Sequence, residues 1–574
     1  MSKKRAATAS NATVAIRMAD AFRRHGVEVV FGQSIPSAFH LVAPQAGITQ
    51  AAYRTENAGG AMADGYARVS GKVGVVTAQN GPAATLLVPP LAEALKASTP
   101  IVALVQDVAR TATDRNAFQE LDHLKLFDGC AKWVRRIDHV SRVEDLVDMA
   151  FMAAVSGRPG PAVLLVPADL FGETAAAAER ASHIGETPLD RMGPDPERVR
   201  IAAEMLASAK APLIIAGGGV HLSRAAGALA DLQERCHLPV ATTVMGKGTV
   251  DETHPLSVGI VGYFMGTGGR SQGLRRLVEE ADVILLVGNR TNQNGTDSWT
   301  LYPKGRRYIH IDIDPMEVGR NYEAVRLVGD AKLALEALTQ ALVAGDLERR
   351  KAARGAVAGA IAEARAEWQA LTGAMLTGDR LPLRPERVMG EIDRLIDDRA
   401  VVVADASYSS IWVANYLTAR RPGQRFITPR GLAGLGWGLP MAIGAQLAAP
   451  SSRVICVAGD GGFAHTWAEI EMVVRLKLPI TILVLNNQIL GYQKDAEDSI
   501  FGAHTDACYF ATVDHAAIAR ACGCHGVRVE RADETARALA AAFASGKPAL
   551  IDCIVDPQAR PPITSFEGKF ASPF

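Results

Sequence analysis

Apolar residues recur along the chain in two rhythms: short β-branched runs of strand length, and longer stretches whose apolar positions repeat at helical spacing. Over the first part of the chain this predicts helices at 12–25, 57–70 and 83–95. It predicts strands at Val27–Phe31, Ala51–Arg54, Val73–Ala78 and Ile101–Val105. Such alternation is the grammar of a parallel sheet covered by helices on both faces. A turn and one more buried strand within Gly157–Pro167 close the segment, and 173–190 reads as a linker. The grammar returns at Pro212–Val220, passes through Val283–Gly288 and Tyr308–Asp312, and ends near Leu342. The Ala- and charge-rich stretch 343–370 reads as a solvated connecting helix, and a third alternation runs from Ala400–Asp405 to Ile554. The expected fold class is α/β, with three doubly wound parallel-sheet domains at 10–175, 195–342 and 381–574 and a linker helix within 343–380.

Length and composition agree with this plan. At roughly 150 residues per domain, 574 residues allow three or four domains. Hydrophobic residues at 48% and charged residues at 21% exclude wholesale disorder. Lys plus Arg and Asp plus Glu both number 61, so no global charge marks a nucleic-acid or anionic-membrane partner. No apolar run approaches the roughly 20 residues of a membrane helix. Met1 to Asn11 carries Lys3, Lys4 and Arg5 without a following apolar segment, so it reads as a frayed tail of a cytoplasmic protein rather than a signal peptide. The seven cysteines are scattered, and Cys522-Gly-Cys524 fits no common zinc or redox spacing.

The chemistry concentrates in Val454-Ile-Cys-Val-Ala-Gly-Asp-Gly-Gly-Phe463, a buried strand ending in Gly-Asp-Gly. A helix at 466–476 and a strand at Pro479–Leu485 follow, the latter ending in Asn486-Asn487. Asp460 and Asn487 then sit at the carboxyl ends of successive parallel strands, facing one crevice. One carboxylate and one amide oxygen suit a hard cation such as Mg²⁺, which completes its shell with substrate phosphates. Gly461 and Gly462 allow close backbone approach, and the N–H groups opening the 466–476 helix would favour a diphosphate.

This pairing of Gly-Asp-Gly with a later Asn-Asn resembles the signature of the thiamine diphosphate (ThDP) enzymes. The resemblance implies Mg²⁺ held by Asp460, Asn487 and the backbone carbonyl of Ile489, with Gly459, Gly461, Gly462, Leu490 and Gly491 around the cofactor. It also makes the three domains pyrimidine-binding, central and diphosphate-binding. Glu56, within Tyr53-Arg-Thr-Glu-Asn-Ala-Gly-Gly-Ala-Met-Ala-Asp-Gly-Tyr-Ala-Arg68, matches the glutamate that hydrogen-bonds the aminopyrimidine and favours its imino tautomer. Ala117-Phe-Gln-Glu-Leu-Asp122 resembles the acetohydroxyacid synthase subgroup, in which Phe118 and Gln119 would face the active site. Ser156–Pro161, Met245–Gly248, His310–Asp314 and Gly431–Pro440 resemble the same subgroup. Leu435, beside Gly434, falls where a large apolar residue wedges the cofactor into its bent form. Asn80, Tyr408 and Ser409 fall at further cofactor positions.

Three departures from the subgroup concern the substrate. Phe31-Gly-Gln-Ser-Ile-Pro36 replaces the usual Phe-Gly-x-Pro-Gly-Gly, and Asn80-Gly-Pro-Ala-Ala-Thr85 replaces Ser-Gly-Pro-Gly-Ala-Thr. Ala496 stands where those enzymes carry a tryptophan that favours 2-ketobutyrate as acceptor. In the middle domain Gly217-Gly-Gly219 and Gly288-Asn-Arg290 resemble FAD-holding positions, while Thr291-Asn-Gln-Asn-Gly295 replaces the acidic pair and second arginine, so FAD is left open. The expected activity is decarboxylation of a pyruvate-like 2-oxo acid with carboligation of the resulting carbanion/enamine to a second carbonyl compound, in a homodimer or homotetramer whose site lies at the subunit interface. A simple decarboxylase, a ThDP-dependent C–C hydrolase or lyase and an acetyltransferase are the alternatives; against a non-catalytic homologue that retains the fold stand the intact Glu56, Asp460 and Asn487.

Overall fold

A computed structural model describes residues 12–177 and 180–570; the expected tail at Met1 to Asn11 lies outside them. The described strands form three six-stranded sheets in which every pairing is parallel. The first contains β1 (Val29–Phe31), β2 (Thr49–Ala51), β3 (Gly74–Ala78), β4 (Ile101–Asp107), β5 (Trp133–Arg136) and β6 (Pro161–Pro167). The second contains β7 (Pro212–Ala216), β8 (Val240–Thr242), β9 (Ser257–Ile260), β10 (Val283–Val287), β11 (Arg307–Asp312) and β12 (Ala324–Val328). The third contains β13 (Val401–Ala404), β14 (Phe426–Ile427), β15 (Val454–Gly459), β16 (Thr481–Asn486), β17 (His525–Val529) and β18 (Ala549–Ile554). Strands such as β6 and β16 are buried along their whole length, which is why they read as unbroken apolar runs.

The first sheet is ordered β2-β1-β3-β4-β6-β5 and the third β14-β13-β15-β16-β18-β17, so the two share one topology. The middle sheet, β12-β11-β10-β7-β8-β9, has the doubly wound order in which two strands run out on one side of the first, β7, and three on the other. Each sheet therefore has a switch point beside its first strand, where the winding reverses: β1/β3, β7/β10 and β13/β15. Crevices for ligands open at the carboxyl ends of strands at such points.

The residues gather into two compact units. One holds the described residues up to Asp190, together with Pro429–Ser452 and His465–Ile480. The other holds Arg191–Thr428, Arg453–Ala464 and the described residues from Thr481 on, and so carries the middle and third sheets.

In the first unit, Thr55 caps the helix Glu56–Ser70 by accepting the N–H of Ala58, and Gly71 ends it in the left-handed conformation, as a C-terminal glycine does. The helix Gly438–Ala448 packs on it at bare backbone. A Cβ at Gly65 would stand 2.2 Å from the carbonyl oxygen of Met441, and one at Gly444 only 1.9 Å from that of Met62. The single helix expected at 83–95 is two, Pro82–Leu86 and Val88–Ala97. Pro89 and Pro90 cannot donate into a preceding turn but are well placed in the first turn of a new helix. In the second unit the connecting helix is Glu348–Thr377, mostly solvated, with Arg365 reaching the carbonyls of Glu252, His254 and Ser257.

Candidate functional site

Asp460 follows β15 directly and Asn487 follows β16, and the two strands pair through Gly459 and Leu485. The sequence expectation of neighbouring strand ends is met. The Asp460 side chain is buried, with the residue 6% exposed, and its Oδ2 accepts the N–H of Gln488 at 2.9 Å. Burial pushes its carboxyl up to about 6, against the lowering effect of surrounding backbone N–H groups. Among the described residues no cation pairs with it. Asn487 Oδ1 accepts the N–H of Ile489 at 3.2 Å, and the Ile489 carbonyl accepts that of Gly491 at 2.9 Å. Leu490 donates to the Cys508 carbonyl and Phe510 to that of Gln488, which staples this turn to the 508–510 segment.

Across the switch point lies the end of β13. Ser407 takes a positive φ of 67° and turns the chain into the helix Tyr408–Tyr416. Ser409 is buried there, with its Oγ 3.5 Å from where a Cβ on Gly459 would be. Tyr408 donates its hydroxyl to Asp495 Oδ2 at 2.6 Å, and Asp495 also accepts from Arg560, so the phenol is tied down on its own side of the crevice. A Cβ on Gly491 would touch the Tyr408 ring at 3.0 Å.

One expectation is corrected here. The helix opening at this crevice is the single turn Asp460–Phe463, which contains Gly461 and Gly462; the 466–476 segment is a 3₁₀ turn, Trp467–Glu469, followed by the helix Ile470–Arg475. Thr466 precedes them as the cap residue of the 3₁₀ turn, its hydroxyl donating to the Gly436 carbonyl at 2.7 Å. The side chains that come closest to a Cβ on Gly461 are Phe510 and Leu490, at 2.8 and 2.9 Å.

In the first unit, Glu56 is the first residue of the helix Glu56–Ser70 and is half-buried. Its neighbours are fixed on both sides. Glu469 accepts the N–H groups of Arg54 and Thr55, and Asn57 Oδ1 accepts the Trp437 indole N–H at 3.0 Å. Tyr53 lies where a Cβ on Gly59 would go and donates to the Thr77 carbonyl at 2.6 Å. Trp437 ends the loop that carries Gly434 and Leu435, and the Glu93 carboxylate holds that loop by accepting the N–H groups of Gly431 and Leu432 at 2.7 and 2.5 Å. Leu435 is half-buried.

The end of β3 meets the 117–123 segment. The Asn80 amide donates to the carbonyls of Phe118 and Gln119 at 3.2 and 3.0 Å, and Gln79 donates to Gln119 Oε1 at 2.9 Å. Gln119 itself has a positive φ of 61°. His123 Nε2 accepts the Gly81 N–H at 2.9 Å, which leaves Nδ1 to carry the proton toward Asp107 at 3.1 Å. The Phe118 ring stands 83% exposed. Gln33, in the departing 31–36 segment, donates to the Arg54 carbonyl at 2.7 Å.

The comparisons with known proteins bear on this arrangement. Three family models match: "Thiamine pyrophosphate enzyme, N-terminal TPP binding domain" over 12–126, the corresponding central domain over 199–338, and the C-terminal TPP binding domain over 405–553. A probable acetolactate synthase large subunit of Methanococcus aeolicus is 33% identical over 88% of this chain and 85% of its own. The acetolactate synthase isozyme 2 large subunit of Escherichia coli K12 is 32% identical over 93% and 94%. The chain belongs to the thiamine diphosphate enzymes, in their acetolactate synthase-like subgroup. A chloroplastic acetolactate synthase 1 of rice is 30% identical over 94% of this chain.

For a ThDP enzyme the residues at β15 and β16 suit the cofactor's diphosphate and its metal. A buried carboxylate without a counter-cation, an amide oxygen and a backbone carbonyl are hard oxygen donors of the kind Mg²⁺ takes, and three such donors leave room for phosphate oxygens. The glycines at the middle switch point have another account. A Cβ at Gly217 would stand 2.2 Å from the Gly288 carbonyl oxygen and one at Gly219 would stand 2.6 Å from the Gly288 Cα, so the loops after β7 and β10 cross at bare backbone. Sequence reasoning missed Glu469 and Glu93. Their partners are backbone amides far along the chain and leave no side-chain signature; the only signal is an acidic residue on an otherwise apolar helix face.

Proposed function

We propose that this chain decarboxylates a pyruvate-like 2-oxo acid and joins the fragment that remains to a second carbonyl compound, as an acetolactate synthase-like carboligase. Bound ThDP would serve as the electron sink for the bond cleavage and bond formation. The observation that carries the reading is the buried, uncompensated Asp460 beside Asn487 at a sheet's switch point, in a chain whose relatives share this reaction class.

In this proposal Asp460, Asn487 and the Ile489 carbonyl hold Mg²⁺, while Ser409, Tyr408, Gly459, Gly461, Gly462, Leu490 and Gly491 line the diphosphate. Leu435 and Gly434 support the thiazolium side. The Glu56 carboxylate exchanges a proton with the aminopyrimidine, and Gln119 and Phe118 meet the substrates from the loop that Asn80 and Gln79 hold. The Asn80 amide spans to two carbonyls that a serine at this position would not reach together. A homodimer or homotetramer in the cytoplasm completes the proposal. No helix among the described residues is long and apolar enough to cross a membrane.

The test is Glu56→Gln. It keeps the size of the side chain and removes the carboxylate, so ThDP is expected to bind while deuterium exchange at its reactive carbon, followed by NMR, slows by roughly two orders of magnitude or more. Exchange at the parental rate would reduce Glu56 to a helix-start acid.

A further inference from the structure

We propose that Glu469 is a positioning residue for Glu56: its carboxylate grips the backbone amides of Arg54 and Thr55 and so fixes where the helix bearing Glu56 begins. The inference rests on the reading of Glu56 as the proton-exchanging group. Glu469 Oε1 accepts from the Arg54 N–H at 3.0 Å and from the Thr55 N–H at 3.1 Å, and Oε2 stands 3.1 Å from the Arg54 nitrogen. Thr55 is the N-cap of Glu56–Ser70, so the grip acts on the residue immediately before Glu56.

The arrangement is selective. Arg54 and Thr55 are exposed residues, whereas Glu469, which holds their amides, is 1% exposed. The rest of the segment is held from the same neighbourhood: the Arg54 guanidinium bonds Glu471, with Nε at 2.9 Å, and Arg475 donates to the Ala52 carbonyl. Beyond Glu56, Trp437 holds Asn57. Glu56 thus sits between two anchors, and on its N-terminal side Glu469 takes the two amides nearest to it, those of Thr55 and Arg54.

Chemistry explains why an acid stands there. A carboxylate is the one side-chain group with enough acceptor capacity for two amides at once and no donor of its own, and its charge faces the positive end of the helix. Keeping it buried is unfavourable: burial pushes Glu469 up to about 7, against the lowering effect of the two amides and Arg54. An apolar side chain would serve packing at less cost, so the retained carboxyl is accounted for by what it grips. Glu469 contacts neither Glu56 nor, in this account, the cofactor's reacting atoms.

The experiment compares the parent with Glu469→Gln, Glu469→Asp and Glu56→Gln. In the parent without cofactor, the amides of Arg54 and Thr55 should exchange with deuterium as slowly as those inside Glu56–Ser70; fast exchange there overturns the proposal before any variant is made. Glu469→Gln places an N–H against one of the two amides. It should speed their exchange about tenfold or more, the worth of one hydrogen bond to a charged acceptor. With saturating ThDP and Mg²⁺ the same variant should slow exchange at the cofactor's reactive carbon by about tenfold or more while the cofactor's Kd moves less than about threefold. Glu469→Asp, which keeps the charge, should fall between. Parental amide and cofactor exchange in Glu469→Gln, with slow cofactor exchange in Glu56→Gln, would overturn the positioning role and leave Glu56 intact; parental cofactor exchange in Glu56→Gln would overturn both.

Discussion

Gly444→Ala should destabilise the first unit, and the structure sets the scale. The added Cβ would stand 1.9 Å from the Met62 carbonyl oxygen and 2.7 Å from the Tyr66 nitrogen, both backbone atoms of the facing helix. Ordinary contact begins near 3.4 Å, so Gly438–Ala448 would have to withdraw by about 1.5 Å, because neither the backbone nor an alanine methyl can rotate aside. Overpacking of this kind costs about 1–3 kcal/mol, and a clash with no flexible partner belongs at the upper end. At about 2–4 °C per kcal/mol for a unit of this size, the melting temperature should fall by about 6–12 °C. Scanning calorimetry with circular dichroism measures this. Gly355→Ala supplies the opposite sign: nothing lies within 4 Å of its Cβ position, in the exposed interior of Glu348–Thr377, so the same substitution should stabilise by about 0.5–1 kcal/mol. A Gly444→Ala protein melting within about 2 °C of the parent would refute the backbone-to-backbone packing.

Two further outcomes are expected. Asp460→Ala should lower ThDP affinity in the presence of Mg²⁺ by at least about two orders of magnitude by calorimetry, since removing one partner of a buried charge pair costs roughly 3–5 kcal/mol; unchanged affinity would remove the metal assignment. Glu469, raised by burial to about 7, holds its proton longer in the folded than in the unfolded chain, so its contribution to stability is present below the ordinary carboxylate range and is lost as pH rises through about 7. Relative to Glu469→Gln, the parent should lose roughly 3 kcal/mol between about pH 4.5 and 7.5 in denaturant titrations. The neighbouring charges, Arg54 and Glu471, are themselves paired. A pH-independent difference between the two proteins would contradict the shift.

The fold was legible wherever local physics and tertiary context agree. Buried parallel strands are β-branched runs, and Asp460 and Asn487 end two of them, so adjacency in sequence pattern became adjacency in the sheet. Two helices differ from the pattern: Pro89 and Pro90 restart a helix that apolar spacing continues, and the segment expected as one helix over 466–476 opens with a 3₁₀ turn, Trp467–Glu469, after Thr466, whose hydroxyl bonds the Gly436 carbonyl. What supports Glu56 left only a faint trace in the sequence, an acidic residue among apolar ones. Glu469 binds backbone amides of residues 54 and 55, and Glu93 those of 431 and 432, and an amide has no side chain through which a sequence could announce the pairing. The same holds for Gly217 and Gly288, whose shared reason is each other's backbone.

The most direct measurement is product identification by mass spectrometry after supplying the purified protein with a panel of 2-oxo acids, alone and with a second carbonyl compound, with and without ThDP and Mg²⁺. The account predicts release of CO₂ and formation of a 2-hydroxy ketone or acetolactate-like acid only when cofactor and metal are present, and its loss in Glu56→Gln. Decarboxylation that yields only the free aldehyde from every pairing, or product formed without ThDP, would contradict it.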